Sequence, residues 1–333
     1  MSSVPLAITL DFLSAWTFWI NVFTLAGIYT IFTLGLQLNV GYTGIINFGQ
    51  AGFMAIGAYS MVILVLKAGL GFWAALPVSL VVTMLAGLLI GLPSLRLRAD
   101  YFAIATIAFS ELIRYIAQNA RELTGGNQGT TRLGLEAGRF NYDQEWLEVR
   151  EWISARLGDI GISGADVADL PLLLATWAIV ALLVVILSRL QAAPWGRVLR
   201  AIREYEDAAR ALGKSSLSYK LQSLAIAAGL GAISGWLLAL QLVNFNQEPF
   251  EPLITFFGYA ILVLGGLASF PGVVIGSVIF WTVYEGLRFL DLPLSAERVA
   301  ALRLMLVGVV LIAVMTLRPQ GILGRRQEMV LGD

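Results

Sequence analysis

The sequence predicts an all-α polytopic membrane protein with about 8–10 transmembrane helices, roughly nine of them countable as apolar runs. Three observations lead there. Of 333 residues, 58% are hydrophobic and only 13% are charged, with a mean hydropathy of +0.79, against roughly 45–50% apolar and about 25% charged in soluble domains. The apolar residues gather in runs long enough to cross a hydrocarbon core, which takes about 20 helical residues. Between two such runs lies a single long, densely charged stretch, residues 194–220.

Taken in order, the runs fall near 16–39, 44–66, 72–92, 100–118, 171–189, 219–243, 253–268, 272–288 and 300–317. The stretch before the first carries no Lys or Arg and so lacks the basic region of a cleavable signal; that first run is expected to stay as an anchor. With Arg189, the charged stretch holds Arg197, Arg200, Arg203, Arg210, Lys214 and Lys220 against Glu204, Glu206 and Asp207. Excess Lys and Arg in a short loop marks the cytoplasmic side. Alternating the runs from there puts Arg96, Arg98, Arg318, Arg325 and Arg326 in the cytoplasm and the N-terminus outside. The polar insert 119–169, richer in acids than in arginines, then lies outside as well. Within it, 142–157 reads as an amphipathic helix with Trp146, Leu147, Trp152 and Ile153 on one side. A membrane surface, an external partner or the protein itself could take that side. The whole of 1–333 reads as one transmembrane domain.

Two segments break the apolar pattern. From Gly41 to Ser60, Gly41, Gly44, Gly49, Gly52 and Gly57 combine with Asn47 and Gln50. Small residues allow helix backbones to approach, and amides at membrane depth need partners that lipid does not offer. Gly44, Asn47, Gly49, Gln50 and Gly52 are therefore candidates for a translocation path, with a tight helix contact as the alternative. From Leu264 to Gly276 a second glycine cluster with Pro271 interrupts the C-terminal half. Irregular backbone at that depth has to be covered by protein or line a cavity.

Charge inside the runs is scarce. Glu111 and Arg114 are spaced to pair on one helix face, as are Glu285 and Arg288; both read as structural ion pairs near helix ends. There is no histidine and no cysteine, which excludes disulfides, thiolate nucleophiles and imidazole chemistry, and no metal site is expected. Net charge is zero with no basic stripe, so no nucleic-acid partner is expected. Ala208–Ser215 fits a relaxed phosphate-loop pattern, but a helix-favouring run precedes Gly213 where the motif needs a strand and a glycine-rich turn. Nucleotide binding is assigned elsewhere.

Several segments, in this order, resemble the permease subunits of branched-chain amino acid ABC importers, the LivM-like branch. They are GYTGIINFGQAGFMAIGAY from Gly41, LRLRADYFAIATIAFSELIR from Leu95 followed by LTGGNQG, GRVLRAIREYEDAARALG from Gly196 followed by YKL, VLGGLASFPGVVIG from Val263, and RPQGILG from Arg318. The resemblance implies an ATP-driven importer of branched-chain or other neutral and hydrophobic amino acids in a bacterial inner membrane. It implies a second, LivH-like permease, two cytoplasmic ATPases that hold the ATP and Mg, and a periplasmic binding protein. The chain itself would be no enzyme and carry no cofactor. Such permeases present a cytoplasmic helix with an E-A-A-x-x-x-G run to the ATPase. Glu206, Ala208, Ala209 and Gly213 resemble it with one residue inserted, flanked by Arg197, Arg200, Arg203 and Arg210, and a single helix ending at Gly213 is expected. A urea or short-amide importer of the same build is the alternative, and a stand-alone secondary transporter or channel is a third reading.

Overall fold

The computed structural model describes residues 15–137, 142–159, 168–286, 296–317 and 320–324, and among them all regular structure is helical. Helix α1 (Trp16–Leu36) continues through a π-helical turn, Gln37–Thr43, into a non-helical stretch and then α2 (Gln50–Leu66). Next come α3 (Phe72–Ser94) and α4 (Ala99–Asn119), then the insert helices α5 (Arg121–Thr124), α6 (Thr130–Ala137) and α7 (Gln144–Asp159). Helix α8 (Leu170–Ala192) leads to the charged pair α9 (Pro194–Glu204) and α10 (Glu206–Ala211). The chain closes with α11 (Ser216–Leu242), α12 (Pro252–Gly265), α13 (Phe270–Gly286) and α14 (Ala296–Leu317).

Each apolar run is helical over most of its length, but the runs are not equivalent. Among the described residues, α1 with its π-turn, α3, α8 and α11 are long and apolar enough to cross a membrane. At 14 residues, α12 is only about 21 Å long, short of a hydrocarbon core of about 30 Å. It meets α13 at a bend of 115°. The sequence reading made 253–268 and 272–288 two full crossings; the structure folds them as one bent pair. Glycines permit the bend, since a Cβ on Gly265 would sit 2.1 Å from the Gly272 carbonyl oxygen.

Burial sorts the long helices. Along an apolar stretch of 18 residues, 78% of α1 with its π-turn and 83% of α11 are buried, against 28% of α3 and of α8. Helices α1 and α11 are therefore the interior. Helices α3 and α8 turn Leu85, Leu89, Val185 and Ile186 outward, an apolar exterior that only lipid or a partner can cover. A seam of small residues joins α2 to α11: a Cβ on Gly57 would fall 2.3 Å from Ala232 Cα, and one on Gly235 would fall 2.2 Å from the Met54 carbonyl oxygen.

At one end of the bundle the insert packs on the chain's own helices. Tyr142 donates to the Ala239 carbonyl at 2.6 Å, Thr130 to Asn244 at 3.0 Å, and Gln247 to Asn127 at 2.9 Å. Tyr59, Phe245 and Phe250 close over α2 there as an edge-packed ring cluster. The expected amphipathic helix is α7. Its Trp146 is buried against the protein, and its Trp152 faces outward with the Arg156 guanidinium stacked on it at 4.7 Å.

Candidate functional site

At the opposite end, both helix breaks meet. A broken helix frees backbone N–H and C=O groups, and in an apolar interior each must find a partner. Here the α1–α2 junction and the α12–α13 pair supply part of what each other needs. Tyr42 donates to the Ala268 carbonyl at 2.7 Å, Tyr259 donates to the Asn47 carbonyl at 2.8 Å, and the Ala51 N–H donates to Thr255 at 3.2 Å. With its amide oxygen turned to the bend, Gln37 accepts from the Ala268 and Ser269 N–H groups, both at 2.5 Å.

The predicted path residues lie inside this junction. Asn47 and Gln50 are fully buried. Asn47 Oδ1 accepts from the Gly49 N–H at 2.8 Å, and Gln50 Nε2 donates to the Ala227 carbonyl at 2.9 Å. Gly49 and Gly52 turn to α4, where a Cβ would meet the Thr106 carbonyl oxygen at 3.1 Å and Ser110 Cα at 3.0 Å, respectively. Gly44, with φ +75°, is in the left-handed region that favours glycine. It lines a cavity of about 420 Å³ together with Thr43, Phe102, Arg98, Arg203 and Lys220. All five residues thus pack inside this chain, Gly44 with a Cβ position 3.1 Å from Arg203 Cγ, and Gly44 also lines the cavity.

Sequence reasoning passed over Gln37, Asn39, Thr43 and Ser223, also fully or almost fully buried. Ser223 Oγ donates to Asn39 Oδ1 at 3.1 Å and lies 2.8 Å from Thr43 Oγ1. The available signal was two amides, Gln37 and Asn39, at the end of the first apolar run. They lie just ahead of the glycine segment that drew attention.

Helix α9 docks beneath this junction because Leu199 and Ile202 form a buried stripe on an otherwise charged helix. Arg203 donates to the Gly41 carbonyl, and the Arg200 guanidinium lies 5.5 Å from the centre of the Tyr42 ring. Arg197 is exposed. The helix expected to run through REYEDAARAL and stop at Gly213 is interrupted at Tyr205, with φ −144° and ψ 82°. The break turns α10 so that Glu206 reaches back to α11, accepting from Lys220 at 2.7 Å and from Arg210 at 2.6 Å. Burial would raise the Glu206 carboxyl, yet bonds from Lys220 and Ser216 and the nearby Arg210 charge hold it below the ordinary carboxylate range. Ala209, expected as an outward contact point, is 4% exposed and packs on its own chain. Ala208 and Arg210 face outward instead, along with Tyr205 and Leu212 at 72% and 80% exposure. Gly213 ends α10 with φ +77°, as expected for a helix stop.

Of the two expected ion pairs, Glu111 and Arg114 meet through Nη2–Oε1 at 2.5 Å and Nε–Oε2 at 2.9 Å. Glu285 is buried, and Arg288 lies outside the described residues.

Apolar helices broken at packed junctions, with a polar helix pair locked beneath them, describe an all-α polytopic membrane protein. The chain belongs to the family described as branched-chain amino acid transport system / permease component, which matches residues 18–315. It is similar to the high-affinity branched-chain amino acid transport system permease protein LivM of Salmonella typhimurium and to that of Escherichia coli. Each is 34% identical over 325 residues, covering 93% of this chain and 72% of the relative. A probable branched-chain amino acid transport permease protein LivM of Methanocaldococcus jannaschii is 26% identical over 342 residues, covering 89% of this chain and 90% of its own. No solved structure matches. The chain is thus a permease subunit of an ABC importer, a system with further components.

Proposed function

We propose that the chain forms one half of the transmembrane path of an ATP-driven importer for branched-chain or other neutral, hydrophobic amino acids in a bacterial inner membrane. In this reading 119–169 lies outside, where a binding protein delivers substrate, and 194–220 lies inside. A LivH-like permease completes the path, and two ATPases that hold ATP and Mg dock on α9–α10. The chain catalyses no covalent step of its own.

The observation that carries the reading is the α9–α10 pair. It is a charged handle on an apolar machine, with Tyr205, Ala208 and Leu212 turned outward and Arg203 and Glu206 fastening it to the bundle. Likeness to LivM over 93% of the chain supports the substrate class. Proteoliposomes that hold the chain with its permease partner, ATPases and binding protein should take up labelled leucine only with internal ATP. Leucine uptake by the chain alone under an ion gradient would favour a stand-alone transporter, and uptake of urea in place of leucine would move the system to the amide importers.

A further inference from the structure

We propose that Tyr42 is the positioning residue through which α9 moves the α12–α13 bend, so that a displacement of the handle becomes a displacement of the broken helix pair. The inference rests on the reading of α9–α10 as the ATPase contact and adds the receiving end of the stroke. Tyr42 is 1% exposed in the π-helical turn that ends α1, and π-turns inside helices recur at functional sites.

Three sides of the residue are engaged. The Arg200 guanidinium faces its ring at 5.5 Å from α9. The ring also stacks on Phe270, the first residue of α13, with centroids 5.0 Å apart. Its hydroxyl donates to the Ala268 carbonyl at 2.7 Å, at the apex of the bend. Arg203 adds a second grip on the same turn by donating to the Gly41 carbonyl.

The apex is a conformation that needs holding. Ala268 is a non-glycine residue at φ +58°, which persists only where its surroundings over-determine it. Those surroundings include Tyr42, the Gln37 amide and the 320–324 segment, whose Ile322 and Leu323 N–H groups donate to the Leu264 and Gly265 carbonyls, both at 3.0 Å. Packing is unequal around the turn. The cavity of about 420 Å³ borders Thr43, Gly44, Ile202 and Arg203, while Phe270 and Ala268 are in contact with Tyr42. A push from α9 therefore has room to start and meets a filled contact where it ends.

The test uses the assembled complex with Tyr42→Phe, which keeps the ring and loses the hydroxyl, and Arg200→Met, which keeps the packing and loses the charge. A single reporter, Leu267→Cys, is placed at the partly exposed apex of this cysteine-free chain, and any partner cysteines are removed. In the wild-type background, trapping the ATPases with nucleotide should change the thiol-labelling rate at 267 severalfold. In Tyr42→Phe, ATPase binding and binding-protein-stimulated hydrolysis should persist while that change is lost. Leucine imported per ATP should then fall by about tenfold, the ratio set by one net buried hydrogen bond. A Tyr42→Phe complex that keeps both the labelling change and the wild-type import per ATP would overturn the proposal. ATPases that bind equally well to a Leu212→Glu, Tyr205→Ala chain would remove the underlying reading of α9–α10 and this inference with it.

Discussion

Replacing Gly57 with alanine tests the α2–α11 seam on which the junction depends. The added methyl carbon would lie 2.3 Å from Ala232 Cα and 2.8 Å from Ala232 Cβ, whereas carbon atoms rest at about 3.5–4.0 Å. Relief requires the two helices to part by roughly 1 Å or more, the shortfall from that spacing. Further along the seam, Cβ positions at Gly231 and Gly235 would already meet Phe53 Cβ at 2.9 Å and the Met54 carbonyl oxygen at 2.2 Å, so parting the helices loosens contacts along its length. Overpacking of this kind costs about 1–3 kcal/mol, and the better helix propensity of alanine returns about 1 kcal/mol.

Parting the helices also draws Gln50 Nε2 away from the Ala227 carbonyl, now 2.9 Å distant, for a further loss of roughly 0.6–1.5 kcal/mol. The expected net is about 2 kcal/mol of destabilisation. In detergent this should appear as a fall of several degrees in the unfolding midpoint, read by fluorescence-detected gel filtration after heating. Import should fall too, because the buried amide centre moves with α2. Gly158→Ala is the control: it lies in α7 with nothing within 4 Å of its Cβ position, and its midpoint should hold or rise slightly. A Gly57→Ala chain with the wild-type midpoint, or a control that falls as far, would refute the reasoning.

Ala209→Trp should unseat α10 from its own bundle and lower the yield of folded chain, since Ala209 is 4% exposed. Leu212→Glu, at a position 80% exposed, should fold normally and weaken ATPase co-purification by about tenfold if this edge is the contact. In sealed cells an impermeant thiol reagent should label Glu151→Cys and spare Tyr205→Cys; the reverse pattern would invert the proposed topology. Asp143 is buried at 4% exposure with no hydrogen bond to Oδ1. Burial holds its carboxyl above the ordinary range, against the help of its own backbone N–H and Arg150. A raised folded-state value means that the folded chain binds this proton more tightly than the unfolded one, so stability drops as pH rises from about 4. Asp143→Asn should therefore be the more stable chain at pH 7, with the gain closing below about pH 4, as read from unfolding midpoints across pH.

What could be read in the sequence and what could not divides by the range of the interaction. Apolar runs, the charged stretch and the two glycine clusters are local signals: most runs fall on helices and the Leu264–Gly276 cluster falls on a break, while the run read from 44 is not helical until Gln50. Tyr205 carried no such signal, because REYEDAARAL favours helix throughout. The break there is enforced by contacts on either side of it, Leu199 and Ile202 against the bundle and Glu206 against Lys220. Asn47 and Gln50 announced buried polar groups without saying what would satisfy them. The Asn47 amide is met locally, by the Gly49 N–H and by Gln50 Oε1, whereas Gln50 Nε2 donates to the Ala227 carbonyl, 177 residues away. The same holds for the breaks themselves: glycine explains why the chain can leave the helix at Gly44 and at Gly265–Gly266, but not why it stays folded there at membrane depth. That follows from the pairing of one break with the other. Tyr42, Tyr259 and Thr255 carry hydrogen bonds between the first junction and the α12–α13 pair, so each is held in part by the other. A substitution at either one should loosen both.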